Sequence, residues 1–150
     1  MGHTYTNLLV HMVFSTQGRE PWLRESVRQR VFAYLGGIAQ ESGAAPVCIG
    51  GVADHVHMLL ALSSGLSCAQ AAQRVKGASA RWIHETFVEM RKFAWQEGYG
   101  AFTVGQSQIA ATRKYIAGQE EHHRRVTFQD EFLAFLARNN VVYDERYIWK

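Results

Sequence analysis

Two short patterns carry side chains that can do chemistry together. His55-Val56-His57 sets two imidazoles at i and i+2 in an apolar run over residues 55–62, the composition of a strand. Strand side chains alternate between faces, so both histidines share one face and Val56 points the other way, into a helix-packed core. About 7 Å apart along the strand, the two rings can converge on one divalent metal. Tyr115 and Gln119 stand at i and i+4 in a helical segment, with Cβ atoms about 5–6 Å apart. Their face takes in Thr112 and His122, while Ile109 and Ile116 fall elsewhere. Alone, the histidines also suit a solvated sheet face, and the tyrosine and glutamine a helix surface. Together they are complementary. Two imidazoles and the Gln119 amide oxygen are three metal ligands that leave positions open for a phosphate oxygen, which the metal would polarise. A tyrosine hydroxyl, protonated below a pKa of about 10, needs such a polarised electrophile to act as a nucleophile.

The elements that position these residues follow from periodicity. Residues 5–15 read as a strand. Pro21 and Trp22 open a helix in which Leu23, Val27, Val31, Leu35 and Ile38 recur every three or four positions, and Gly43 stops it. Short strands over 45–51 and 55–62 are close enough to form a hairpin. Ser67-Cys68-Ala69-Gln70 has the form of a capping box. The helix it opens carries Ala72, Val75, Ser79, Trp82 and Thr86 on one face, with Phe87 adjacent. Residues 98–104 read as a fourth strand. Ser107 is set to cap a helix running to about residue 123, and Thr127 a short one with Phe132, Phe135 and Leu136 inward. Tyr143, Tyr147 and Trp149 are aromatic anchors of a tail. Strand–helix–strand twice over is the split βαβ, ferredoxin-like or RRM-like plan: an α+β fold with helices on one face of an antiparallel sheet, plus a C-terminal helix bearing the tyrosine.

Composition sets wider bounds. The chain of 150 residues, 47% hydrophobic and 19% charged, suits one soluble domain over residues 1–150. A net charge of +3 permits a nucleic-acid partner without demanding one. Cys48 and Cys68 lie too far apart in sequence for a ribbon or a disulfide framework, and two free thiols suit a reducing cytoplasm. Neither a signal peptide nor a membrane span is expected.

The chain resembles a known family: the single-tyrosine, HUH-motif transposases of the insertion-sequence-two-hundred type. The resemblance rests on linked motifs in order: Val13-Phe14-Ser15-Thr16; Gly50-Gly51, then residues 54–59 around the histidine pair; Val75-Lys76-Gly77 with Trp82; residues 93–102; Tyr115-Ile116; Gln119 to His123; then Phe128 and Glu131. It maps metal ligands onto His55, His57 and Gln119, and the nucleophile onto Tyr115. It implies an enzyme that cuts and rejoins single-stranded DNA at hairpin-bearing element ends through a 5′-phosphotyrosine, with Mg2+ or Mn2+. It also implies a homodimer with active sites shared between subunits. The short link between the fourth strand and the tyrosine helix is compatible with such an exchange.

Rival enzymes fit less well. Histidine-triad hydrolases need a third alternating histidine where Leu59 stands. Relaxases usually carry the tyrosine before the pair. Rolling-circle initiators commonly place lysine where Gln119 is, and remain the nearest alternative, with a domesticated nucleic-acid-binding relative as another. Several residues keep two readings. Arg74, Lys76, Arg81, Arg113 and Lys114 contact phosphates or line solvated helix faces. Asp54 orients a histidine or makes a turn. His11 lies near the site or is merely buried. Trp95, Tyr99 and Phe102 stack on bases or pack a core. Of His122 and His123, at most one is expected to face the site.

Overall fold

The structure, a computed structural model, describes residues 2–150. Four strands, β1 (Leu8–Ser15), β2 (Ala44–Gly51), β3 (His55–Leu62) and β4 (Gly100–Thr103), form one sheet in the order β2-β3-β1-β4, every neighbour antiparallel. Helices α1 (Glu25–Ser42) and α2 (Cys68–Thr86) complete the split βαβ plan. Three further helices follow β4: α3 (Ile109–Ala117), α4 (Gln119–His123) and α5 (Phe128–Arg138). The fold is thus α+β with a four-stranded antiparallel sheet.

Alternation along the central strands builds two cores. Met12, Phe14, Val56, Met58 and Leu60 point to one face and pack with Val27, Val31 and Leu35 of α1 and Ala72, Val75 and Ile83 of α2. Val13 and Phe102 point to the other face and pack with Phe128, Phe132, Phe135 and Leu136 of α5. Each buried phenylalanine contributes about 1.5–3 kcal/mol of transfer free energy, so α5 is held firmly. The second sheet face is therefore covered rather than open for binding. This explains why β3 is buried along nearly its whole length, the mark of a strand covered on both sides.

Local signals in the sequence act as expected at several ends. Gly43 takes φ 95° and its N–H bonds the carbonyls of Ala39 and Gln40, closing α1. Ser67 and Gln70 make both arms of the capping box, and the Thr127 hydroxyl accepts from the Asp130 N–H. Differences have physical causes. β1 starts at Leu8; Tyr5 lies outside the sheet and stays 89% exposed. α1 starts at Glu25 although Leu23 still packs in the core. The buried stripe of α2 ends on Ile83 rather than Trp82 and Thr86; Trp82 is only partly buried and stacks on Tyr34 at 4.3 Å between ring centroids. The expected long third helix is broken. A 3-10 turn over Gln106–Gln108 precedes it, with no cap from Ser107, and Gly118 separates α3 from α4. In the tail only Trp149 of the three aromatics approaches the core, against Phe132 at 6.2 Å; Tyr143 and Tyr147 are exposed.

Candidate active site

β3 delivers His55 and His57 to the face that α5 covers, both fully buried, with ring centroids 5.1 Å apart. Each imidazole is fixed from behind. Asp54 Oδ1 lies 2.7 Å from His55 Nδ1. On β1, His11 Nε2 lies 2.8 Å from His57 Nδ1. Burial, together with His57, pushes the His11 pKa down to about 3, so His11 is neutral and can accept the His57 N–H. These contacts leave both Nε2 atoms aimed at α5.

There they meet Glu131, which lies on the same helix stripe as Phe128, Phe132 and Phe135 and is 3% exposed. Glu131 Oε1 stands 2.9 Å from His57 Nε2 and 3.4 Å from His55 Nε2. Its Oε2 stands 3.2 Å from Nε2 of both His122 and His123 and accepts from the Tyr115 hydroxyl. Burial alone would raise this carboxyl, but the imidazoles of His123, His55 and His57 outweigh it and hold it ionised, well below the usual range. Burial likewise opposes charge on His55, yet hydrogen bonds to Asp54 and Glu131 win and push it up to about 9. Deeper burial takes His57 down instead.

Tyr115, on the last turn of α3, reaches this cluster within one chain. Its ring is 5.7 Å from that of His57, and its hydroxyl is 3.4 Å from His122 Nε2. Burial and the Glu131 charge raise its pKa, keeping the hydroxyl a donor. Gln119 is buried at the start of α4. Its Oε1 lies 3.1 Å from His55 Nε2, and its Nε2 donates to the Tyr115 carbonyl at 3.4 Å. Tyr115 thus joins one cluster with His55, His57 and Gln119 despite the break at Gly118.

The donor set fits a divalent cation. Ligand atoms of His55, His57, His123 and Glu131 all lie within 4.8 Å of one another. His123 Nε2 is buried without a hydrogen-bond partner among the described residues; it is close to Glu131 but outside hydrogen-bond geometry. Nitrogen and carboxylate ligands of this kind suit a metal.

The remaining sequence candidates divide. Both His122 and His123 approach Glu131, contrary to the expectation that only one could. Neighbouring helix positions diverge, but α4 spans just 5 residues and the carboxylate comes from a separate helix. Asp54 both orients His55 and turns the chain, its carbonyl accepting from the Thr16 N–H at 2.8 Å. Trp95 and Phe102 are core residues, and Tyr99 packs against the core. Arg74, Lys76 and Arg81 lie on α2, across the sheet from the histidines, whereas Arg113 and Lys114 are exposed on α3. The structure does not gather these five into one patch, and Lys76 donates to the carbonyls of Glu97 and Gly98 at 3.0 and 2.8 Å. Basic groups nearer the site are Arg19, Arg24, Arg28 and Arg124, which line a cleft of about 830 Å³ that also touches Asp54 and His123. Sequence reasoning missed these arginines and gave Glu131 no role. The signal for Glu131 is a carboxylate on an apolar helix stripe, a position that charged residues occupy only when paired.

The sequence profile of the family described as "Transposase IS200 like" matches residues 4–119. The chain belongs to the IS200-like transposase family. Catalytic action on DNA comes with that membership. The ISDra2 transposase TnpA of Deinococcus radiodurans is 26% identical over 125 residues, covering 80% of this chain and 89% of that protein. The transposase for insertion sequence element IS200 of Salmonella typhimurium is 28% identical over 130 residues, covering 83% and 84%. Among solved structures, a transposase from Deinococcus radiodurans R1 superposes with a TM-score of 0.65 at 26% identity, over 79% of this chain and 96% of that one. A REP-associated tyrosine transposase, solved bound to a REP hairpin, shares the fold with a TM-score of 0.61 at 12% identity, over 84% and 74%. No described helix of this IS200-like transposase is long and apolar enough to cross a membrane.

Proposed function

We propose that this chain, acting as one catalytic domain, cuts and rejoins single-stranded DNA at hairpin-bearing ends through a covalent bond to Tyr115. The observation that carries the reading is the meeting of a tyrosine hydroxyl, two strand histidines and Gln119 in one buried cluster. His55, His57 and Gln119 would hold Mg2+ or Mn2+. Such an ion, when bound, withdraws charge from a phosphate oxygen and so eases attack at phosphorus. The chain's own groups do the rest. The Tyr115 oxygen attacks phosphorus, forming a 5′-phosphotyrosine and releasing a 3′-hydroxyl. The phenolic proton leaves along a contact already present, toward His122 Nε2, and the departing 3′-oxygen takes up a proton from water. In the return step a 3′-hydroxyl attacks the phosphotyrosine, reseals the strand and frees Tyr115. The number of phosphodiester-level bonds is conserved, so no nucleotide is consumed. Arg19, Arg24, Arg28 and Arg124 line the cleft beside the site; Arg24, Arg28 and Arg124 are paired with Glu89, Glu120 and Glu121, and a phosphate backbone entering there would replace those carboxylates as their partner.

A cytoplasmic homodimer belongs to this reading. Active sites shared between the subunits belong to it as well: α3 packs on β2 and β3, and an α3 exchanged between subunits would make the same contacts on its partner.

The deciding variant is Tyr115→Phe. It removes one oxygen and is expected to keep the fold and the binding of a hairpin-bearing strand while losing the covalent protein–DNA adduct on a denaturing gel. An adduct that survives the substitution overturns the assignment.

A further inference from the structure

We infer that Glu131 and His123 complete the cation's coordination alongside His55, His57 and Gln119, giving a site rich enough in imidazole to select a transition metal over magnesium. This rests on the metal-dependent reading above and adds ligands from α4 and α5.

The argument begins with tautomers. His123 Nδ1 lies 2.7 Å from the Val126 carbonyl, an acceptor only, so Nδ1 carries the proton. With Nδ1 committed to that carbonyl, Nε2 is the ring atom left to face the cluster. That atom is buried, lacks a hydrogen-bond partner, and stands 3.2 Å from a carboxylate oxygen. A buried ring nitrogen and a carboxylate oxygen this close, with no hydrogen bond made between them, are both available to a cation. The same pattern recurs twice. Asp54 accepts a hydrogen bond from Nδ1–H of His55, and His11 accepts one from Nδ1–H of His57. Three outer acceptors therefore turn three Nε2 atoms inward, the arrangement by which metal-binding histidines are oriented.

Distances agree. Ligands about 2.1 Å from a tetrahedral ion lie about 3.4 Å from one another. Glu131 lies 2.9 Å from His57, 3.4 Å from His55 and 3.2 Å from His123. The Gln119 oxygen stands at the edge of the set, 3.1 Å from His55 Nε2. Three nitrogens, a carboxylate and an amide oxygen suit manganese, cobalt or zinc. Magnesium prefers oxygen ligands and keeps much of its water. Glu131 contributes a negative charge within the cluster, and Asp54 another behind His55.

The test measures metal binding directly on the full chain, without DNA. Co2+ reports its ligands by visible absorption; Mn2+ and Mg2+ are compared by calorimetry. The wild type is expected to bind Mn2+ and Co2+ at least tenfold more tightly than Mg2+. His123→Ala and Glu131→Gln should each weaken Co2+ binding by more than the 10–100-fold typical of losing an outer hydrogen-bond partner, and should change the Co2+ spectrum. His57→Ala is the reference for a lost ligand, and His123→Gln serves if the alanine variant does not fold. Folded His123 and Glu131 variants that bind Co2+ like the wild type, beside a His57→Ala that does not, overturn the inference and leave the metal-dependent reading standing. Magnesium bound as tightly as Mn2+ also overturns it. A wild-type chain that binds none of the three ions sinks both.

Discussion

At the scale of single residues, the site depends on groups that touch no substrate. Asp54 holds the Nδ1 side of His55, and so decides which nitrogen of that ring faces Glu131. Asp54→Ala is expected to lower Mn2+ affinity by about 10–100-fold with little change in folding, because the backbone carbonyl that bonds Thr16 remains. Calorimetry on the folded variant checks this; undiminished affinity would confine Asp54 to its turn. The histidine pair was legible in the sequence because strand parity is a local rule: two positions separated by one always share a face. Glu131 was not, for it comes 74 residues after His57 and only tertiary packing joins them. Its legible trace was a charge among phenylalanines, which local periodicity flags but cannot pair.

At the scale of elements, the placement of Tyr115 depends on how closely α3 can approach the sheet. Gly50 allows it: a Cβ there would stand 2.5 Å from the Ile116 carbonyl oxygen and 2.8 Å from its Cγ2. Backbone would have to move, and Ile116 is the neighbour of Tyr115. Gly50→Ala should therefore cost about 1–3 kcal/mol, the range for overpacking, and should reduce strand cleavage out of proportion to that loss. A urea melt paired with a cleavage assay tests it; a variant with normal midpoint and normal cleavage would show that α3 adjusts freely. The sheet, the first two helices and two caps could be read from periodicity and hydrogen-bonding side chains. The division of the third helix could not. Gly118 still receives helical bonding from its N–H to the Lys114 and Tyr115 carbonyls, so the polar stripe of Tyr115 and Gln119 looks continuous in sequence although two helices carry it.

At the scale of the whole molecule, the question is how many chains make one site. Tyr115 meets Glu131 and His122 of its own chain. Mixed dimers of Tyr115→Phe and His57→Ala chains, each inactive alone, are expected to recover cleavage of a hairpin-bearing strand if sites are shared between subunits; cleavage no better than either parent would place each site within one chain. Recovered cleavage would mean that α3 is exchanged between subunits, placing an intact tyrosine beside an intact histidine pair. A different consequence follows from β3, which lies between β1 and β2 and serves a hydrophobic core on one side and the histidine cluster on the other. Its two duties are interleaved residue by residue, so an insertion or slip of odd length would send the imidazoles into the oily layer and the aliphatics into the polar one. The same error that disarms the chemistry would also spoil the packing. Misregistered chains therefore cannot persist as stable proteins with a dead site, and correct folding acts as a proofreading step for catalysis.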